Sequence, residues 1–130
     1  MNRAIEFHDS LIDKVLLADG NAEVVLSPAY VHQSVGSPGV HPGEGHHQTI
    51  ALRLVTASLV EGSLPYFGRV SGGSLTVSGV PFQLLPLPCA ITGSISLSFV
   101  LSSGETLKLA ANEIHSNELS LSTYVEQFPG

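Results

Sequence analysis

Four of the six histidines, one carboxylate, four glycines and two prolines fall within residues 31–48. His32, His41, Glu44, His46 and His47 offer the donors a divalent transition metal takes: neutral imidazole nitrogen and carboxylate oxygen, at about 2.0–2.2 Å from the ion. On extended backbone, neighbouring side chains point to opposite faces. His46 and His47 therefore reach one ion only if the chain turns between them, which Gly43 and Gly45 permit. The spacing matches no established ligand signature, and the plainer alternative is a polar loop whose histidines face water. Tyr30 shares its parity with His32 at the mouth of this segment, and Tyr66 follows Pro65 in a second irregular stretch. Tyrosine gives a large contact surface at low entropic cost, so Tyr30, His32 and Tyr66 are the candidate ligand-binding residues. The competing assignment for both tyrosines is core, with the hydroxyl at the rim.

Other chemistry is sparse. Two Glu-x-His pairs, Glu6/His8 and Glu113/His115, each place both groups on one face of a strand, and would converge if the first and last strands were neighbours. Solvated local pairing is the ordinary outcome. His8-Asp9-Ser10 holds the three residue types of a hydrolase triad, but consecutive residues cannot form that geometry. Asp9-Ser10 suits a turn cap instead. There is no Gly-x-Ser-x-Gly elbow and no glycine-rich phosphate loop. Cys89 is the single cysteine and stands in an apolar run, which suits a small buried residue rather than a nucleophile. Clustered imidazoles also change charge between about pH 5 and 8, which allows pH sensing.

The elements that must position these groups read as strands. Residues 4–8 alternate, and residues 11–18 are ambiguous between strand and short helix, with strand favoured for the second half. Asp19-Gly20-Asn21 is a hairpin signal leading into residues 22–26, and Pro28 then implies an edge or a bulge. A long irregular loop is expected over residues 33–47, and segments of that kind are uncommon unless functional or disordered. Residues 49–59 read as one strand, with Ile50, Leu52 and Leu54 on one face. Residues 94–101 give the clearest alternation and turn through Ser102-Ser103-Gly104 into residues 106–110. Further alternation centres on Ile114 and on Leu119 and Leu121. Eight to ten short strands with regular turn signals predict an all-β fold: an antiparallel sandwich or flattened barrel of jelly-roll type, in a single domain over residues 1–130.

Composition sets the remaining bounds. The apolar fraction of 43% is ordinary, but the charged fraction of 12% is low against a usual value of about 25%. The net charge is −6, and its five cations are scattered singly. No basic stripe exists for phosphates, so nucleic acid and anionic membrane surfaces are not expected partners. No apolar run approaches the length of a bilayer span, and the first residues lack a signal-peptide pattern, so a cytoplasmic location is expected. Weakly charged strand edges are poorly protected against pairing, which implies a homo-oligomer.

Gly43-Glu44-Gly45-His46-His47 resembles, in its glycines, histidines and carboxylate, the Gly-rich metal-binding hairpin of the cupins, which carries a His-x-His followed by a carboxylate. It has no His-x-His, however, and places its carboxylate before the histidines, so no ligand assignments transfer. Ala4-Ile5-Glu6-Phe7-His8-Asp9-Ser10, Ser27-Pro28-Ala29-Tyr30-Val31-His32 and Glu126-Gln127-Phe128-Pro129-Gly130 together resemble a small bacterial all-β family without an assigned function. That resemblance brings no activity and no site residues. The expected role is a non-catalytic binding or self-assembly domain, taking a small molecule or a protein. The alternative is a cupin-like metal-dependent enzyme built on the histidine segment.

Overall fold

The computed structural model describes residues 1–129, leaving Gly130 of the terminal motif outside the described residues. It contains eleven strands: β1 (Asn2–Glu6), β2 (Leu11–Ala18), β3 (Asn21–Ser34), β4 (Gly43–Val55), β5 (Ser58–Glu61), β6 (Gly68–Val77), β7 (Val80–Phe82), β8 (Leu85–Leu87), β9 (Ala90–Leu101), β10 (Thr106–Glu118) and β11 (Thr123–Phe128). Among the described residues there is no helix, and so none long and apolar enough to cross a membrane. The all-β, antiparallel expectation is met as a closed barrel of six strands, in the cyclic order β2-β3-β4-β10-β9-β6, with further strands added to it.

Asp19 and Gly20 make the β2–β3 turn with both φ angles positive, 55° and 76°, so the two strands meet with Ala18 opposite Asn21. Residues 11–18 are strand throughout, and an irregularity in the register between Ile12 and Lys14 turns both Ile12 and Val15 into the core while Asp13, Lys14 and Leu16 are exposed. Strict alternation then fills the barrel. Ile50, Leu52, Leu54 and Leu97 are fully buried, and Ile95, Phe99 and Leu101 nearly so. Burying each large side chain of this kind contributes about 1.5–3 kcal/mol. Phe7, from the β1–β2 turn, meets Phe99 edge-on at 5.3 Å.

β3 and β4, of 14 and 13 residues, run on past their barrel pairing. Proline has no amide hydrogen to give to the ladder, and at Pro28 the β3–β4 register shifts between Leu26 and Ala29. Beyond that point the two strands continue as an arm, flanked by β1 and β8 on one side and by β11 on the other. This overturns the irregular loop expected over residues 33–47: β3 runs to Ser34 and β4 begins at Gly43, leaving residues 35–42 as the connection. That connection is held down by side chains. Ser34 Oγ donates to Pro42 O at 2.8 Å, Asn2 Nδ2 to Gly36 O at 2.7 Å, and the Ser37 amide to His41 Nδ1 at 2.7 Å.

Two further boundaries differ from expectation. The strand expected over residues 49–59 ends at Val55, where Thr56 takes φ 55° and the Ala57 amide donates to Gly20 O at 2.7 Å before β5 begins. The alternation around Leu119 and Leu121 is a connection instead, because the Leu119 amide is drawn to Thr49 O at 2.9 Å and Ser120 Oγ accepts the Thr49 amide at 2.9 Å. The strand follows at Thr123.

Candidate functional site

The outer face of the arm should be wet, yet its central side chains are buried. Register explains why. Across β1, β3, β4 and β11, one row holds Glu6, Tyr30, His47 and Thr123; the next holds Ala4, His32, Gly45 and Glu126; the third holds Asn2, Ser34, Gly43 and Phe128. Gly43 and Gly45 thus clear a trough between β3 and β11. Tyr30 leans across Gly45, and its hydroxyl donates to the Glu126 carboxylate. A Cβ on Gly45 would lie 2.1 Å from Tyr30 Oη and 3.3 Å from the Phe128 ring. His32 leans the same way and stacks on Phe128, with centroids 4.9 Å apart and planes 21° apart. Tyr30 also meets His32 and His47 edge-on at 5.3 and 5.8 Å.

Backbone locks set this geometry. Ser10 is fully buried: its Oγ donates to Glu6 O at 2.7 Å and accepts the Tyr30 amide at 2.9 Å. The expected Asp9-Ser10 turn cap is therefore also the fastener that places Tyr30 directly after the Pro28 break. His32 Nε2 lies 3.3 Å from Glu6 Oε2, while its Nδ1 is buried without a partner. Burial, and then the Glu126 carboxylate that accepts its hydrogen bond, push the Tyr30 hydroxyl above the ordinary tyrosine range, with Glu6 and Asp9 adding to the effect. The hydroxyl is a fixed donor rather than an acid.

The five residues considered as metal ligands do not assemble. His46 and His47 diverge as extended backbone requires. His46 turns to the other face, 3.0 Å from Glu44 Oε1 and edge-on to Tyr124, with its own Nδ1 buried and unpartnered. His41 closes the connection through Ser37. Among the described residues, the only group of three that brings metal-type donors together is Glu6, His8 and Asp9, two of them exposed. β1 and β10 are not neighbours, so the two Glu-x-His pairs stay apart, and His115 bonds locally to Glu113 at 3.2 Å.

Tyr66, expected at a contact surface, is a core residue. Only 2% of it is exposed, and its hydroxyl donates to the carbonyls of Glu105, at 3.0 Å, and Phe99, at 3.3 Å. Burial, with the nearby Glu105 charge, raises its pKa to about 12. Cys89 is likewise buried, and its thiol is pushed up to about 11 by desolvation.

Where the arm leaves the barrel, the strands splay and open a cleft of about 520 Å³. Pro28 and Tyr30 of β3 and His47 of β4 line it, with Asp9 from the β1–β2 turn, Leu11 of β2, Arg69 of β6 and Glu126 of β11. Two smaller cavities lie around His32, of about 260 Å³ beside Phe128 and about 400 Å³ beside Glu6. Sequence reasoning found Tyr30 and His32 but missed Arg69, Glu126 and Phe128, which reach the site only through β6 and β11. The shared parity of Glu126 and Phe128 near the terminus was the one available signal. No family model matches the chain, and no similar curated protein or solved structure was found.

Proposed function

We propose that this chain is a non-catalytic binding domain whose ligand is a small polar molecule seated in the cleft over Tyr30 and His47. The observation that carries this is the cleft itself. Its volume of about 520 Å³ lies within the range of small-molecule sites, and it mixes apolar walls with a few converging polar groups. The three side chains with the most obvious nucleophilic atoms are otherwise engaged or buried. Ser10 is spent on backbone bonds, Tyr30 is a fixed donor, and Cys89 is buried with a raised pKa.

The test is a screen of small polar compounds by melting temperature and residue-resolved NMR. A ligand at a hundred times its Kd should stabilise the fold by about 2.7 kcal/mol. It should shift the amides of Tyr30, His47 and Arg69, and His47→Trp, which fills the cleft, should abolish both effects. A screen whose hits all move amides elsewhere, or survive that substitution, removes the reading.

Self-association is a second proposal, supported by β11. Among the described residues its outer edge is unpaired, and Leu119, Leu121, Tyr124 and Val125 around it are 53%, 92%, 55% and 40% exposed. Such an edge is open to pairing with another copy.

A further inference from the structure

Resting on the binding reading above, we infer that the ligand class of the cleft is a small zwitterion, carrying an ammonium and a carboxylate on one aliphatic body. The cleft faces charges of both signs towards one space. The acids Asp9 and Glu126 and the cation Arg69 all line it. These groups do not neutralise each other. Among the described residues Arg69 enters no ion pair, whereas Arg3 is bound to Glu118 at 3.0 Å. Asp9 pairs only with His8, at 3.2 Å, and Glu126 accepts the Tyr30 hydroxyl.

Each simpler ligand meets a like charge. A plain anion drawn to Arg69 would sit beside two carboxylates, and a plain cation drawn to those carboxylates would sit beside a guanidinium. Like-charge juxtaposition of this kind is how a site rejects the wrong partner. A molecule with both charges satisfies each end and is penalised at neither. Its ends meet Arg69 on one hand and Asp9 and Glu126 on the other, and its body meets Leu11 and Pro28, the apolar part of the lining. Arginine suits the carboxylate end, since its planar fork accepts the two oxygens together. His47 and Tyr30 form the aromatic side of the same space.

The experiment compares probes of equal length and different charge: 6-aminohexanoate, hexylamine and hexanoate, with 4-aminobutanoate and glycine as shorter zwitterions. Each is titrated into the full chain at neutral pH, following amide shifts by residue. The expected result is that one of the zwitterions shifts the amides of Leu11, Tyr30 and Arg69 and binds at least about tenfold more tightly than either singly charged probe, the scale of a charged hydrogen bond. Arg69→Gln should lower zwitterion affinity by about tenfold and erase its advantage over the amine. Asp9→Asn should erode its advantage over the acid instead. Arg69 and Asp9 are both exposed, so these variants should keep the native melting temperature. If hexylamine or hexanoate binds the same amides as tightly as every zwitterion, the zwitterion inference falls while the binding reading stands. If no compound of any charge class, in these titrations or in the broader screen, moves the cleft amides, both fall.

Discussion

Gly45 has no side chain because Tyr30 occupies the place where one would be. Its substitution is the sharpest residue-scale test of the site. Gly45→Ala sets a methyl 2.1 Å from Tyr30 Oη and 2.7 Å from its ring, so the tyrosine must leave Glu126 or the strands must part. Overpacking of this order costs about 1–3 kcal/mol. The expected outcome is a lower melting temperature, with amide shifts concentrated at Tyr30, Gly45 and Glu126; a variant with an unchanged melt and spectrum would contradict the trough. Cys89 gives a second test. Its buried thiol, raised to about 11, should be inert to a thiol reagent in the native protein at pH 8 and react fully once unfolded. Rapid native labelling would show that the Cys89 environment is open.

At the scale of elements, legibility followed the source of the signal. β9 and the strand containing Ile50, Leu52 and Leu54 were visible because their inward faces are uniformly apolar at every second residue, which is the same physics that folds them. The arm was not visible. Gly43 and Gly45 read as loop residues in one dimension, because a glycine in a strand makes sense only when what fills its space is known, and here that is the Gln33 backbone at Gly43 and the Tyr30 ring at Gly45, both from a different strand. For the same reason the histidines suggested a shared metal, although the alternation of the very strand they lie on separates them. β11 is held mainly by its pairing with β4 and by Glu126 and Phe128, and nearly all of its residues are exposed. Its amides should therefore exchange with solvent orders of magnitude faster than those of β9 or β10. Protection equal to the barrel strands in a monomer would contradict that ranking, while protection that rises with protein concentration would point to pairing with another copy.

The whole molecule responds to alkali and to its own concentration in directions its groups dictate. Tyr66 and Cys89 both have folded pKa values above their ordinary ones, about 12 against 10 and about 11 against 9. The unfolded chain therefore loses these protons first. Their contribution is complete below about pH 9 and is lost as pH rises through the folded values. Unfolding free energy should fall between about pH 9 and 12, by an amount on the order of 2–3 kcal/mol per group; Tyr66→Phe and Cys89→Ala should flatten that fall, and a variant with an unaltered alkaline limb would show that the cause lies elsewhere. For self-association, light scattering coupled to size exclusion should give a dimer or larger species, and Val125→Lys on β11 should return it to monomer. A wild-type monomer at high concentration would end that proposal.

The barrel is unevenly fastened. Within it β3 and β4 share five register pairs, Ala22 to Leu26, but among the described residues β2 and β6 share two, Leu11 with Arg69 and Ile12 with Gly68. These partners lie far apart in the chain, so joining them carries the loop-closure cost that slows folding, and this seam is the one expected to close last and unclasp first. Leu11 and Arg69 are also two of the residues that line the cleft. Any occupant touching both is a rivet across the weakest joint, and the rate at which the barrel unclasps becomes a clock that slows whenever the cleft is filled.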